Sequence, residues 1–351
     1  MGSIQVRHLN ILEPSSGAEW DALVESHPAS TAFHSSAWGR VLCDTYGHTP
    51  RYFYLHSNGE PVALIPLIEV SSPFTGRRGV CLPFTDACGP LAFRADALEN
   101  IKQQLVELCR QHRWHHCEVR SGDLLENQFE HEPTFYGHTL RLVNEPEALF
   151  ERFGNGTKGA VKQAIKNGIT VDINGDLAAV KDFYTLQVET RRKHGVPPQP
   201  FEFFANVHQK MIAAGLGFTV LARSGNQIVA GAIFLRSSRH AIYKFAASHP
   251  ESGATRGNNL VLWEAIRHLI SSGCEQLDFG RTSPEHDGLR RFKLSWGAEE
   301  KLIRYSQFEV RHGRWSQQVR HDREGIANSI FRRLPSAANR LAGAMLYPHL
   351  D

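Results

Sequence analysis

Two runs of the sequence repeat one strand–turn–strand pattern, and this repeat constrains the fold more than any other feature. Residues 54–70 (YLHSNGEPVALIPLIEV) place two apolar runs on either side of an Asn-Gly dipeptide, which is typical of a tight hairpin turn. Residues 220–236 (VLARSGNQIVAGAIFLR) follow the same pattern around a Gly-Asn dipeptide. The second run therefore predicts a second copy of the same hairpin.

Each hairpin is followed by the same further elements. A helical pattern and a strand follow the first hairpin at residues 97–112 and 116–122, and the second hairpin at residues 258–273 and 275–282. The offset between the copies is about one domain, which is too long for a solenoid repeat. Two copies of one α/β module are the simplest interpretation, and chance similarity of two hairpins is the alternative.

Length and composition agree with two globular domains. The chain has 351 residues, 41% of them hydrophobic and 21% charged, so it can bury a sizeable core. We predict a first lobe over residues 1–150, a second lobe over 151–310 and a basic tail over 311–351. The net charge of +3 is too small to indicate nucleic-acid binding, and DNA is not an expected partner. The tail is more basic, with seven Arg against three acidic residues.

The cysteines and histidines predict no disulfides and no metal site. The six cysteines form no C-x-x-C pair and no dense framework, as in a reducing compartment. No apolar run reaches the roughly 18 residues of a membrane span, and no signal segment precedes the first strand. Residues 112–117 (HRWHHC) have no second ligand cluster at the spacing of zinc sites. The sequence therefore predicts a cytoplasmic protein without a bound metal.

A helix with a positive stripe is predicted between the two copies. Residues 153–173 (FGNGTKGAVKQAIKNGITVDI) place Lys158, Lys162 and Lys166 four residues apart and end in Asn-Gly, a common helix stop. Such a stripe is either a solvated face or a contact for a phosphate-rich ligand. The tail segment 325–346 is amphipathic enough for peripheral membrane contact, although Pro335 interrupts it.

The motifs and their order resemble the FemAB-type transferases, which are double-GNAT proteins. The residues that carry the resemblance are FHSSAWGRVLCDTYGH (33–48), VKQAIKNGITV (161–171), TRRKHGVPPQPFEFF (190–204), YKFAASHPESGATRGNNLVLWEAI (243–266) and LDFGRTSPEHDGLRRFKLSWGAE (277–299). Together with the tail IFRRLPSAANRLAGAML (330–346), they are most similar to the FemAB-like proteins of PEP-CTERM/exosortase exopolysaccharide clusters. The resemblance implies an α/β fold of two tandem GNAT-like lobes, each a mixed sheet flanked by helices, plus a C-terminal helical tail.

The resemblance also implies an N-acyl or aminoacyl transferase that acts on an amine. The acceptor would be a cell-envelope precursor, peptidoglycan or exopolysaccharide, or a small molecule. The donor substrate would be an acyl-CoA or an aminoacyl-tRNA, with no tightly bound cofactor. A catalytically silent double-GNAT scaffold that binds a partner or RNA is the alternative. No helical-hairpin insertion of the kind found in some Fem proteins is present, which argues slightly against a large tRNA contact.

One turn bears on the choice of donor. A CoA-using GNAT lobe holds the pyrophosphate on backbone N–H groups at a helix N-terminus, through a turn of the R/Q-x-x-G-x-G/A type. The corresponding residues here are Arg256, Gly257 and Asn258, with one glycine and one arginine but a different spacing. They are the candidate cofactor-binding residues, and the different spacing weakens the case for CoA.

The candidate catalytic residues are Lys293 and Asp278. Within GLRRFK (288–293) the family pattern matches Gly288, Phe292 and Lys293, and the lysine resembles the Fem residue that contacts the developing charge. A positive donor at the oxyanion is usually the largest contribution to acyl transfer. Asp278 ends an apolar strand, where a carboxylate is costly unless it is paired; it would orient the lysine or accept the amine proton. A surface lysine and a buried ion pair are the structural alternatives.

Further residues are candidates for substrate binding. Arg191 and Arg192 precede a proline loop and are suited to phosphate or carboxylate, although helix capping is an equal alternative. Arg281 and Phe292 lie in the Lys293 motif, and Tyr243 stands where the Fem pattern has an acceptor-contacting aromatic residue. Trp38 and Arg40 belong to the first-lobe motif. There the Fem pattern favours a lysine slightly further on, where this chain has Leu42, so recognition of a UDP-linked precursor is in doubt.

Overall fold

The structure, a computed structural model, describes residues 3–121, 134–249, 252–318 and 326–351. It divides the chain into two compact units. Unit 1 comprises Met1–Tyr136, Leu302–His321 and Leu346–Asp351, and unit 2 comprises Gly137–Lys301 and Asp322–Met345. Each unit has a mixed sheet flanked by helices.

Most of unit 1 comes from the first part of the chain. Its strands there are β1 (Gln5–Leu9), β2 (Thr49–Ser57), β3 (Glu60–Ser72), β4 (Gly76–Val80), β5 (Leu91–Ala92) and β6 (His116–Val119). Its helices are α1 (Pro14–Ser26), α2 (Ser36–Tyr46) and α3 (Ala97–Gln111).

Unit 2 follows. Its strands are β7 (Phe135–Arg141), β8 (Thr170–Asn174), β9 (Gly217–Ser224), β10 (Gln227–Arg236), β11 (His240–Ser248), β12 (Gln276–Thr282) and β13 (Glu299–Ile303). Its helices are α4 (Pro146–Glu151), α5 (Asn155–Lys166), α6 (Leu177–Lys193), α7 (Phe201–Val207), α8 (Gly257–Ser271) and α9 (Asp287–Leu294). The last elements of the chain are β14 (Tyr305–Glu309), β15 (Arg314–Gln318), α10 (Ile326–Arg333) and α11 (Ser336–Leu346).

The predicted internal repeat is confirmed. In unit 1 the order is β1-β2-β3-β4-β6-β14-β15, and in unit 2 it is β8-β9-β10-β11-β12-β7-β13 when read from the corresponding edge. In each sheet an antiparallel hairpin, β2–β3 or β9–β10, leads to a parallel pair joined through a helix, β4–α3–β6 or β11–α8–β12. The first hairpin turns at Asn58 and Gly59, whose φ angles of 52° and 85° fit the Asn-Gly turn that the sequence predicts.

The last strand pairs in the two sheets do not follow sequence order. β7 comes after β6 in the chain but belongs to the sheet of unit 2. Its place beside β6 is taken by β14, which pairs antiparallel with β6 so that Ser306 lies opposite Val119 and Glu309 lies opposite His116. The unit bounds therefore differ from the sequence-based division at residues 150 and 310. Antiparallel edges can be completed by any strand of suitable length, so strand order along the chain does not fix this choice.

The tail region of the sequence is divided between the units. β14 and β15 complete the sheet of unit 1, and Asp351 accepts a hydrogen bond of 2.6 Å from the buried Arg78. α10 and most of α11 belong to unit 2. The predicted helical tail is present over α10 and α11, and no described helix is long and apolar enough to cross a membrane.

Candidate functional site

The parallel ladder of unit 2 ends in the middle of two strands. β11 and β12 pair in parallel over three positions, the last of which joins Ile242 to Asp278. β11 then continues to Ser248 and β12 to Thr282. Where two strands stop pairing, their backbone groups become available to an extended ligand. The candidate site is built around this point.

The DFG sequence accounts for the end of the ladder. Gly280 has a φ of 72°, in the left-handed region that favours glycine, so β12 bends there. The Asp278 carboxylate lies two residues before the bend and accepts a hydrogen bond of 2.6 Å from the Gly280 backbone N–H. Asp278 therefore stabilises the bend directly through a local contact.

Lys293 is held at the same bend. It lies in the last turn of α9 with 4% exposure, and its ammonium group donates to the carbonyls of Gly280 at 2.8 Å and Arg281 at 3.0 Å. Lys293 is thus a buried cation rather than a surface lysine. The structure brings Lys293, Asp278 and Arg281 together, as their proximity in one motif suggested.

Tyr243 lies on β11 one residue past the end of the ladder. Its ring stacks on Phe234 with centroids 5.1 Å apart and meets the edge of Phe279 at 6.2 Å. Burial raises the pKa of its hydroxyl well above the ordinary value, so the group is a protonated donor at neutral pH.

The predicted cofactor turn forms the start of α8. Arg256 is the N-cap with a φ of 59°; its own side chain makes no capping hydrogen bond, but the Thr255 hydroxyl accepts one of 3.2 Å from the Gly257 N–H. A Cβ atom on Gly257 would lie 3.1 Å from the Val229 side chain and 3.2 Å from that of Ala230. The glycine therefore lets α8 approach β10, while Asn258 occupies the next position of the first turn. The N-terminus of a helix favours anions.

A groove of about 530 Å³ lies beside that turn. One wall is a face of small residues on α5, the other includes the start of α8, and Phe292 of α9 lies between them. Its lining residues are Gly156, Thr157, Gly159, Ala160, Gln163, Arg256, Asn259, Phe292 and Ser295. Cβ atoms on Gly156 or Gly159 would meet nothing within 4 Å, which shows that this face of α5 is open.

The lysine stripe lies on a different face of α5. None of its three lysines lines the groove, and Lys158 is bound to the Glu151 carboxylate at 2.9 Å. The positive stripe gave no indication of this groove wall. The signal was present in the spacing of Gly156, Gly159 and Ala160, which share one helical face.

A polar network beside Lys293 was also missed. The Arg290 guanidinium holds both oxygens of Glu300 at 2.7 Å, and His138 contacts the same carboxylate at 3.1 Å. The hydrogen bonds from Arg290 lower the pKa of Glu300. Burial, with the nearby charge of Lys293, lowers the pKa of His138, which is completely buried. These residues lie far apart in sequence, so no local pattern indicated them.

The paired arginines lie at another position in unit 2. Arg191 and Arg192 are in the last turn of α6, where a basic side chain is favoured by the helix dipole. Arg191 is half-buried and Arg192 is exposed. Neither lines the groove beside α8, and their role in substrate binding stays a prediction.

Trp38 and Arg40 lie on α2 in unit 1. Trp38 has no exposed surface and packs against Phe33 with ring centroids 5.1 Å apart. Arg40 donates a hydrogen bond of 2.9 Å to the Ile11 carbonyl. Both contacts stabilise unit 1, so we give these residues no part in the site of unit 2, and their predicted role with substrate stays untested.

The described residues contain no group of three or more His, Cys, Asp or Glu that could hold a metal ion. The cysteines are all free thiols.

Comparison with known proteins gives a match in the same part of the chain. Residues 153–297 match the family model described as an acetyltransferase (GNAT) domain. This range contains α5, the β11–β12 ladder, the α8 turn and Lys293. A search of curated proteins finds no match.

Solved structures extend the similarity to both units. A FemX crystal structure superposes with a TM-score of 0.68 at 15% identity, over 85% of this chain and 95% of that one. The C-terminal domain of a putative lysylphosphatidylglycerol synthetase from Agrobacterium fabrum gives 0.56 at 12%, over 95% and 97%. A tandem GNAT protein from the clavulanic acid pathway gives 0.53 at 9%, over 87% and 98%.

These matches define the class. The chain has a double-GNAT fold like that of FemX and the tandem GNAT protein, and the match to the acetyltransferase (GNAT) domain model lies in its second unit. The resemblance seen in the sequence is confirmed at this level, while the PEP-CTERM/exosortase subgroup stays a prediction.

Proposed function

We propose that the protein is an N-acyl or aminoacyl transferase whose active site lies in unit 2. The acceptor is an amine of a peptidoglycan or exopolysaccharide precursor or of a small molecule. The observation that carries the proposal is the buried Lys293 ammonium, fixed by two carbonyls where the β11–β12 ladder ends. A positive charge in a protected position next to available backbone groups is suited to an acyl-transfer transition state.

The residues around the bend at Gly280 have different roles in the proposed reaction. Attack of an amine on the acyl group forms the new C–N bond and develops negative charge on the carbonyl oxygen. The bond from the acyl carbon to the CoA sulfur or the tRNA ribose oxygen then breaks, and this leaving atom takes up the proton that the amine loses. Lys293 supplies the positive charge that stabilises the carbonyl oxygen, and a single donor of this type contributes on the order of 3 kcal/mol. Tyr243 offers a protonated hydroxyl. We propose that Asp278 acts mainly as a positioning residue, because its carboxylate holds the Gly280 bend.

We propose that the donor binds in the groove between α5 and α8. Both candidate donors, acyl-CoA and aminoacyl-tRNA, carry phosphates, and the N-terminus of α8 with Arg256 offers an anion site there. The neighbouring Phe292 and the small residues of α5 leave room for an apolar or extended portion of the donor. A tRNA partner and a cytoplasmic location belong to this proposal.

The silent-scaffold alternative has one observation in its favour. Gly257 is explained by its packing against Val229 and Ala230, so the single glycine of the α8 turn needs no ligand to account for it. A scaffold would retain the fold and bind neither donor.

The test is calorimetry of acetyl-CoA and of charged tRNA with the purified protein, at low and physiological salt. Gly159→Leu places a side chain in the groove, and Lys162→Met on another face of the same helix is the matched control. Saturable acetyl-CoA binding that Gly159→Leu lowers by at least about ten-fold, and Lys162→Met leaves intact, supports a CoA donor in the groove.

The other outcomes are equally informative. Salt-sensitive tRNA binding without CoA binding favours an aminoacyl transferase, since such binding depends on phosphate contacts. Donor binding that Gly159→Leu leaves unchanged contradicts the groove as the donor site. Binding of neither donor favours the scaffold.

A further inference from the structure

Helix α11 presents an apolar stripe to solvent. The members of the stripe are spaced by four, three and one residues, which places them on one helical face. They are Ala337, Leu341, Ala344 and Met345. Leu341 is 64% exposed and Met345 is 65% exposed, which is unusual for large apolar side chains in contiguous positions.

The opposite face of α11 fixes its orientation. Asn339 and Gly343 are buried, and a Cβ atom on Gly343 would lie 1.9 Å from the Pro198 carbonyl oxygen. The helix backbone therefore lies directly against the proline loop of unit 2. Because this close contact determines which side of α11 faces inward, the exposure of the stripe follows from the fold.

A basic cluster accompanies the stripe in unit 2. Arg332 and Arg333 lie in the last turn of α10. This helix packs against the C-terminal end of α6, because a Cβ atom on Gly195 would lie 2.3 Å from the Asn328 carbonyl and 3.0 Å from the Arg332 side chain. Arg192 and Lys193 at that end of α6 are exposed, as are the two α10 arginines and Arg340 of α11. We call these five residues the basic cluster. The segment from residue 326 to 350 contains no acidic residue.

We propose that α11 and the basic cluster form a surface that binds anionic lipid bilayers. The stripe would enter the boundary between headgroups and acyl chains, and the basic cluster would contact the lipid phosphates. This is how interfacial helices bind, with apolar burial and electrostatic attraction acting together. RNA would match the arginines but not the exposed Leu341 and Met345, so the bilayer fits both features. The inference goes beyond the proposed transferase activity and does not depend on it.

The experiment is co-sedimentation of the full chain with vesicles of phosphatidylcholine alone and of an equimolar mixture of phosphatidylcholine and phosphatidylglycerol. We expect binding to the anionic vesicles that weakens with salt, and little to the neutral ones. Arg332→Gln with Arg333→Gln should weaken the partition by about 25-fold, which is roughly five-fold per arginine. Leu341→Ser with Met345→Ser should weaken it by at least about ten-fold.

Matched controls lie on α5 in the same unit. Ile165→Ser changes another exposed apolar residue, 57% exposed, and Lys162→Gln with Lys166→Gln removes two other exposed charges. Both controls should bind the anionic vesicles like the wild type. Circular dichroism checks that all variants are folded, which is expected because every changed side chain is at the surface.

Several outcomes would overturn the proposal. One is recovery of the same amount of protein in the pellet with and without vesicles. Another is a loss of vesicle binding in the α5 controls that is as large as in the tail variants. Binding of poly(U) that the Leu341→Ser, Met345→Ser pair leaves intact, with no vesicle binding, would assign the cluster to RNA. A dimer in light scattering that this pair dissociates, again without vesicle binding, would assign the stripe to a second copy of the chain. The vesicle assay contains no acyl donor and no acceptor, so a negative result in it does not contradict the transferase proposal.

Discussion

Glu300→Gln tests whether the polar network beside Lys293 holds helix α9 in place. The carboxylate accepts two hydrogen bonds of 2.7 Å from Arg290 and contacts the buried His138 at 3.1 Å. Arg290 precedes Lys293 by one helical turn, so the network fixes the helix that carries the lysine. The neutral amide of glutamine keeps the shape of the side chain but removes its charge.

The expected loss follows from these contacts. Hydrogen bonds to a charged partner contribute about 1.5–3 kcal/mol each when protected, and less when exposed. Side-chain exposures of 35% for Arg290 and 20% for Glu300 lower the total. We expect a local loss of about 2 kcal/mol, which corresponds to roughly 30-fold faster amide exchange in α9.

The assay is hydrogen–deuterium exchange at pH 7, followed on peptides that cover α9. Glu299→Gln is the matched control, because Glu299 precedes Glu300 on β13 and its side chain is exposed. The low pKa of Glu300 keeps it ionised at this pH, so the wild type retains the full interaction. If α9 exchanges equally in the two variants, the network does not hold the helix and the reasoning is wrong.

Two further predictions concern the site and unit 1. Gly280→Ala forces a side chain into a left-handed conformation and should lower the free energy of unfolding, measured by urea denaturation, by about 1–2 kcal/mol. Gly156→Ala in helix α5 is the control and should be neutral or stabilising. An equal effect of the two substitutions would contradict the bend at Gly280. Burial lowers the pKa of His34 from 6.5 to about 4, so the unfolded chain binds the proton more readily. Its neutral form contributes stability that is complete above pH 6.5 and is lost as the pH falls toward 4, by up to about 3 kcal/mol. Urea denaturation between pH 7.5 and pH 4 checks this, and a slope unchanged by His34→Gln would argue against it.

Several elements of the fold and of the site could be predicted from the sequence because their signals are local. The Asn-Gly turn at residue 58, the helix stop at Gly195 and the bend at Gly280 all depend on dihedral angles that particular residues favour. The short motif from Asp278 to Lys293 brings its own residues together, since a strand, a turn and a helix follow each other directly. For these features, the sequence alone determines both the element and its neighbours.

Other features depend on contacts between distant segments, and only the tertiary structure decides them. The contact of His138 with Glu300 and the closeness of Arg332 to Gly195 join residues that no local period connects. The pairing of β7 in the sheet of unit 2 and of β14 in the sheet of unit 1 also depends on distant segments of the chain. Backbone N–H and C=O groups at a sheet edge are chemically the same for every strand, so the pattern of a strand shows that it will pair but not with which edge. The sequence determines the repeated α/β modules and the charged motif; the fold decides which strands complete each sheet and which surfaces face solvent.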